Sequence, residues 1–181
     1  MNRLLAMTTL GLSLVLGCAK TGAVQEKAPL TQDLSTYKSA AVEVEMPQDV
    51  KNADTRKSAF VTMVGDRLRE KKLFTEIVPA SGELTLKIKI TSVDEGSKLA
   101  QAMGPSAGGD SEVAASVSLF DTKQNKQVGA FDVSGNSKKN VQTSVGGVNT
   151  SSMQDTTSRA LGAAADEIAA YLEQHRAPAA K

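Results

Sequence analysis

The sequence predicts an α/β fold: a single two-layer domain in which a mixed sheet of about five strands carries two helices on one face. Several segments alternate apolar and polar residues, which is the pattern of strands with one buried face. Two longer segments repeat apolar residues at three- and four-residue spacing, which is the pattern of amphipathic helices. The segments follow one another in the order β-α-β-β-β-β-α, and about 140 residues suffice for one such core.

The first strand and the first helix are adjacent in the sequence. Apolar residues at 42, 44 and 46 alternate with glutamates, and Pro47 then ends the strand. The helix is expected to begin near Asn52 or Asp54, either of which can cap it. Its apolar stripe is Phe60, Met63, Val64 and Leu68. We expect this helix to be a right-handed crossover between two parallel strands.

Four more strands and a second helix follow. A short apolar strand at residues 74–78 ends at Pro79, and the next strand alternates clearly, with Leu84, Leu86, Ile88 and Ile90 on one face. Alternation over residues 113–119 and 128–133 predicts a hairpin, with an irregularity where the apolar phase slips between Ala130 and Phe131. The last helix, residues 152–175, has the stripe Met153, Leu161, Ala164, Ile168 and Leu172. Leu86, Ile88 and Leu161 should meet in the core.

The N-terminus has the layout of a secretory signal: Arg3, an uncharged run over residues 4–17, then Cys18. The run is shorter than the roughly 20 apolar residues that cross a bilayer. Residues 15–18, VLGC, resemble the bacterial lipobox, in which cleavage between a small residue and cysteine leaves an acylated N-terminal cysteine. An ordinary signal peptide with an incidental cysteine is the alternative. Because Cys18 is the only cysteine and ends the apolar run, we favour cleavage between Gly17 and Cys18 and lipidation of Cys18.

This interpretation divides the chain into four parts: a signal peptide (1–17), the lipidated cysteine with a flexible tether (18–35), one α/β domain (36–176) and a disordered tail (177–181). The tether should span roughly 20 Å. Two or three acyl chains on Cys18 would hold the protein stably to a membrane. Because Ala19, and not an aspartate, follows the cysteine, we expect the periplasmic face of the outer membrane.

Composition and charge exclude several classes of partner. Removal of residues 1–17 takes away Arg3 alone, so that 21 basic and 20 acidic residues become 20 of each. A near-neutral chain lacks the basic footprint of nucleic-acid binders. Aromatic residues are 3% and tryptophan is absent, which argues against an aromatic stacking platform. A single cysteine also allows no internal disulfide. We therefore expect no nucleic acid and infer no small-molecule substrate.

The sequence offers no candidate catalytic, cofactor-binding or metal-binding residues. The only histidine, His175, lies at the end of the last helix, where a helix-terminal role is expected and not a catalytic one. One histidine and a lipidated cysteine leave no set of zinc ligands. The adjacent carboxylates at 94–95 and 166–167 should diverge into solvent. We therefore expect no enzyme, although a hydrolase that uses carboxylates alone is the alternative.

A glycine run at residues 104–109, GPSAGG, could be mistaken for a phosphate-binding loop. It lacks the lysine and hydroxyl residue that follow the last glycine of such a loop, and Asp110 in their place would repel phosphate. We expect a connecting loop, and the alternative is a loop that becomes ordered on contact with a partner.

Several motifs together resemble a family of uncharacterised bacterial lipoproteins with a domain of unknown function. They are the lipobox, Tyr37 before the first strand, a Lys-Leu-Phe turn after the first helix and the strand LxLxIxI. A glycine-rich loop and Asp121 at a strand end complete the set, with Asn125 where relatives have a hairpin glycine. The resemblance covers most of residues 37–175. The plan is similar to the N-terminal domain of TolB and to LpoB, which activates a peptidoglycan synthase, so the resemblance implies a protein-binding module.

The expected function is that of a lipid-anchored envelope protein acting as a binding, scaffold or accessory module. Its partners would be the membrane, through acylated Cys18, and an envelope protein. The polar sheet face with Lys87 and Lys89, and the loop over residues 101–110, are the surfaces expected to meet that protein. The alternatives are the carboxylate hydrolase and a subunit of an outer-membrane assembly that oligomerises through sheet edges.

Overall fold

A computed structural model describes residues 24–96, 110–138, 144–145, 148–149 and 155–176. Gly17, Cys18, Met153, most of the loop over residues 101–110 and the tail lie outside the described residues. Within those ranges the helices and strands are β1 (Val24–Ala28), β2 (Ser39–Glu45), α1 (Ala53–Glu70), β3 (Glu76–Val78), β4 (Leu84–Asp94), β5 (Glu112–Asp121), β6 (Lys126–Asn136), β7 (Ser144–Val145), β8 (Val148–Asn149) and α2 (Thr156–Gln174). Neither α1 nor α2 is both long and apolar enough to cross a membrane.

Six strands form one mixed sheet in the order β1-β6-β5-β4-β2-β3, and β7 pairs with β8. Strand β2 runs parallel to both β3 and β4, whereas the pairs β4–β5, β5–β6 and β6–β1 are antiparallel. Helix α1 therefore connects two parallel strands. The predicted α/β fold is confirmed, with six strands in the main sheet in place of about five.

The core lies between the sheet and the two helices. Leu86 and Ile88 of β4 and Leu161 of α2 are all at most 2% exposed and belong to one core cluster, as predicted. Lys87 and Lys89, which alternate with them, are exposed, because side chains of successive strand residues point to opposite faces. The buried residues of α1 are Phe60, Val64, Gly65 and Leu68.

Helix α2 packs unusually close to the sheet because small residues face β6. Ala160 and Ala164 are fully buried, and a side-chain carbon added to Gly135 of β6 would overlap the backbone of both. Asp155 caps the helix by accepting a hydrogen bond from the Ser158 amide at 3.0 Å. Burial alone would raise the pKa of Asp155, but its hydrogen bonds with Ser158 and the charge of Arg56 lower that pKa overall.

Strand β1 differs from the sequence analysis, which places residues 18–35 in a flexible tether. Residues 24–28 instead form an edge strand that pairs with β6. Polar residues fill its middle, VQEKA, so its position depends on backbone pairing and on contacts with distant residues. Lys27 Nζ lies 2.9 Å from a carboxylate oxygen of Asp132, and Leu34, just beyond the strand, is 2% exposed in the core. The folded domain therefore begins by Val24.

The β5–β6 hairpin contains the predicted irregularity, at a different residue. Leu119 pairs with Gly129 and Phe120 with Gln127, so Val128 is the extra residue of a bulge. The bulge lets Val128 and Phe131 both reach the core although three positions separate them. Asn125 has φ 48°, the positive value expected where relatives have glycine.

The start of α1 also differs in detail from the expected cap. Asn52 is the N-cap residue, but it adopts the left-handed conformation and its side chain makes no capping hydrogen bond.

Candidate functional site

The face of the sheet opposite the helices is the candidate functional site, and we call it the polar face. Glu43 and Glu45 of β2 and Lys87 and Lys89 of β4 project from it into solvent. The same face carries Ser116, Ser118, Phe120 and Asp132 from β5 and β6, each half-buried. Among the described elements, both helices pack on the other side of the sheet, which leaves this face accessible to a partner.

A row of polar side chains crosses the polar face. Glu45 lies opposite Lys89 in the β2–β4 pairing, with Oε1 3.3 Å from Nζ. Lys89 in turn lies opposite Ser116, whose hydroxyl donates to Asp132 at 2.7 Å. Asp132 also pairs with Lys27 of β1. The row therefore joins five strands that are widely separated in the sequence.

The electrostatics of this row suit recognition better than stability. Burial alone would raise the pKa of Asp132, but the Ser116 hydrogen bond and the Lys27 ammonium outweigh burial and lower that pKa. Asp132 is therefore a carboxylate at neutral pH. The side chains of Lys89 and Glu45 are 63% and 71% exposed, and exposed ion pairs contribute only about 0 to 1 kcal/mol each. The charges remain available to a partner at little cost in stability.

An aromatic ring sits beside the charges. Lys87 Nζ lies 4.5 Å from the centre of the Phe120 ring, a cation–π contact. The surrounding side chains form a shallow, open depression of about 440 Å³, lined by Glu43, Glu45, Lys87, Lys89, Ser116, Ser118, Phe120 and Gln127. Its openness suits contact with another protein surface better than enclosure of a small molecule.

Sequence reasoning named Lys87 and Lys89 on this face but missed Phe120, Asp132 and Lys27. The alternation of β5 could have indicated Phe120, because it lies two residues after Ser118 and four after Ser116 and therefore points to the same polar face. No comparable signal exists for Lys27, because the alternation of β1 is too weak to predict a strand. Lys27 joins the row only because β1 lies beside β6 in the sheet.

A second polar cluster lies at the opposite end of the sheet from the start of α2. The Tyr37 hydroxyl donates to Asp121 at 3.0 Å, and the side-chain amide of Gln32 contacts the same hydroxyl. Asp121, only 4% exposed, also accepts a hydrogen bond from the backbone N–H of Gln124 at 2.8 Å. Tyr37 and Asp121 are two of the motif residues in the family resemblance. They tie the start of β2 to the β5–β6 hairpin.

Both tyrosines of the protein should remain protonated well above pH 10. Burial, followed by contact with Asp121, raises the pKa of Tyr37 to about 12, and burial with nearby Glu26 raises the pKa of Tyr171 to about 12. The unfolded value is about 10. A raised folded pKa contributes stability that is complete below pH 10 and disappears as the pH rises through 12.

Tyrosinate absorbance tests this directly, because Tyr37 and Tyr171 are the only tyrosines. We expect each tyrosine to be at most about one tenth ionised in the folded protein at pH 10 to 11, and half ionised near pH 10 in denaturant. Tyr37→Phe should weaken the loss of stability between pH 10 and 12. Half-ionisation of either tyrosine near pH 10 in the folded protein would contradict the raised pKa values.

One carboxylate of each adjacent pair contacts an arginine. Asp166 contacts Arg67 of α1, and burial raises the pKa of Asp166 even though Arg67 opposes this. Glu95 lies 3.5 Å from Arg56, which also contacts the cap of α2. Asp166 and Glu95 therefore help to hold the two helices and the end of β4 together, and both are half-buried, whereas Asp94 is exposed as the sequence indicated.

His175 is the C-cap residue of α2, as its position in the sequence indicated. Its ring lies 4.1 Å from the ring of Tyr171, and Nδ1 is 2.8 Å from the Tyr171 carbonyl oxygen. Glu26 Oε2 is 4.0 Å from Nε2. Through these contacts His175 helps to hold β1 against α2. In the described ranges, no three histidine, cysteine or acidic side chains are grouped so that they could hold a metal ion.

The comparison with protein families defines the class. Residues 26–139 match the domain of unknown function DUF4410. The chain belongs to this family, which confirms the resemblance to an uncharacterised domain family. No curated protein matches the sequence.

Solved structures share the fold at low sequence identity. A substituted form of PelC from Paraburkholderia phytofirmans, a dodecamer, has a TM-score of 0.55 and 10% identity over 86% of this chain and 98% of that chain. The hypothetical protein CT253 from Chlamydia trachomatis has a TM-score of 0.50 and 12% identity, over 76% and 96%. Lipoprotein GNA1162 from Neisseria meningitidis has a TM-score of 0.37 and 15% identity, over 54% and 81%. The third similarity is too low to carry an argument.

Proposed function

We propose that this protein is a cell-envelope lipoprotein, acylated at Cys18, whose domain acts as a binding or accessory module for another envelope protein. The observation that carries the binding role is the polar face: an uncovered sheet face with a row of charges from Glu45 to Lys27 and the Phe120 ring beside it. Charges of both signs around an aromatic residue are typical of a surface that recognises a protein.

The envelope location is supported by the N-terminal sequence. Arg3, the uncharged run and the VLGC motif precede the only cysteine. Acylation of Cys18 would attach the protein to a membrane, and Ala19 favours the periplasmic face of the outer membrane.

Two alternatives are less well supported. A carboxylate hydrolase would need two convergent acidic side chains that are not engaged by a cation. In the described residues, Asp166 and Glu70 share Arg67, and Glu95 and Asp155 share Arg56. An assembly joined through sheet edges would need a long open edge. The described edge strands are short: β3 has three residues, and β1 has five with a register shift. PelC is a dodecamer, so a second copy of this chain stays a partner to test.

Site-specific photo-crosslinking in the producing cell tests the proposal. A photoreactive amino acid at Lys89 on the polar face should give a discrete crosslinked product after illumination. The same substitution at Lys57, an exposed lysine of α1, is the matched control and should give none. Adding Phe120→Ala to the Lys89 variant should reduce the product, since the ring would no longer contribute to the contact.

The outcomes separate the candidate partners. A product of twice the protein's mass would identify a second copy, and a different mass would identify another envelope protein. Equal crosslinking at Lys89 and Lys57 would contradict the polar face as the binding surface. The anchor is tested in parallel: the protein should incorporate labelled palmitate, and Cys18→Ser should abolish incorporation. Palmitate labelling that survives this substitution would contradict the assignment of the anchor.

A further inference from the structure

Strand β1 shortens the tether between the anchor and the domain. Val24 pairs with Val133 at the edge of the sheet, and only residues 19–23 separate it from Cys18. Six Cα-to-Cα steps span at most about 22 Å when fully extended. A tether of 18 residues would let the domain rotate freely over the membrane. A tether of residues 19–23 instead keeps the start of β1 close to the membrane.

The direction of β1 determines which end of the domain is near the anchor. Because β1 and β6 are antiparallel, the N-terminal end of β1 points toward the end of the sheet where β6 finishes. We call this the anchor end. It contains the last residues of β2, β4 and β6, the first residue of β5 and the start of both helices: Glu45, Asp94, Asn136, Glu112, Ala53 and Thr156.

The two ends of the sheet are at very different distances from Val24. Its partner Val133 is followed by three more residues of β6 toward the anchor end, but seven precede it toward Lys126 and the hairpin. At about 3.3 Å per residue these stretches measure about 10 Å and 23 Å. If the hairpin rested on the membrane, Val24 would stand about 23 Å above it, which would need a tether stretched to its full length, whereas the anchor end needs only about 10 Å.

We infer that the anchor end faces the lipid surface that holds Cys18 and that the β5–β6 hairpin, with the Tyr37–Asp121 contact, faces away from it. This inference rests on the proposed acylation of Cys18. The polar face is then roughly perpendicular to the membrane, and a partner can reach it from the side. Gly96 and Asp110, the described residues on either side of residues 97–109, both lie at the anchor end.

Fluorescence quenching on vesicles tests this orientation with the full acylated protein. Acylated Cys18 does not react with thiol probes, so an introduced cysteine can be labelled alone. Lys138→Cys reports the anchor end, and Lys123→Cys reports the hairpin. The two lysines are matched, since their side chains are 72% and 74% exposed and each pairs with one carboxylate. The vesicles contain phosphatidylethanolamine, phosphatidylglycerol and a headgroup-labelled acceptor lipid.

We expect the fraction of fluorescence quenched at Lys138→Cys to exceed that at Lys123→Cys by about twofold or more, because about 33 Å of sheet separates the two ends. Insertion of twenty glycine and serine residues after Ala19 should remove the difference, since a flexible linker of about 25 residues spans roughly 28 Å. Equal or reversed quenching in floated protein would overturn the orientation alone. Failure of the protein to float with vesicles would overturn both the orientation and the proposed anchor.

Discussion

Replacing Leu86 by alanine is expected to lower the free energy of unfolding by about 2 to 5 kcal/mol. Leu86 is 0% exposed in the central strand β4, between β2 and β5, and belongs to the core cluster that the sheet shares with both helices. The substitution removes buried methyl groups and leaves a cavity that the rigid sheet cannot close. A domain's total stability is about 5 to 15 kcal/mol, so the loss is a large share of it. Urea unfolding followed by circular dichroism measures the change.

Lys87→Ala is the matched control in the adjacent position. Its side chain is exposed on the polar face and its main described contact is the Phe120 ring. Loss of an exposed cation–π contact should cost about 0.5 to 1 kcal/mol. Equal destabilisation by the two substitutions would show that the assignment of the buried and polar faces of β4 is wrong.

Gly135→Ala is expected to destabilise the protein by roughly 3 kcal/mol or more, at the upper limit of typical overpacking. The added carbon would overlap the Ala160 carbonyl oxygen and the Ala164 amide nitrogen, and would lie 2.9 Å from the Ala164 side chain. These are mainly backbone atoms of α2. Relief therefore requires the whole helix to move away from β6, and this would disturb buried residues along its length.

Gly65→Ala is the same substitution, but we expect it to increase the stability of the protein. Gly65 lies inside α1, where an added carbon would meet only Arg69 and Ile77 side-chain atoms, each at 3.6 Å. Alanine should stabilise the helix by about 0.5 to 1 kcal/mol relative to glycine. Thermal unfolding of both variants checks the pair. Similar shifts of the melting temperature for both would contradict the close approach of α2 to β6.

The candidate site could be predicted only in part. The alternation of β4 placed Lys87 and Lys89 on a polar face because that property depends on neighbours in the sequence. The contact from Ser116 to Asp132 depends on the register of β5 and β6, and a bulge at Val128 shifts that register. The bulge was predicted in kind but misplaced by two residues, since the strand can absorb an extra residue at several positions.

The sequence by itself determined the class of fold, the order of the main-sheet strands and the helices from β2 to α2, and most of the core residues that these elements contribute, because period-two and period-3.6 patterns are local properties of the chain. The tertiary structure alone decided that residues 24–28 form β1, since a polar segment joins a sheet by backbone pairing with a strand about 100 residues away. It also decided how closely α2 approaches Gly135. Such contacts depend on which surfaces meet in space, and no local pattern encodes that.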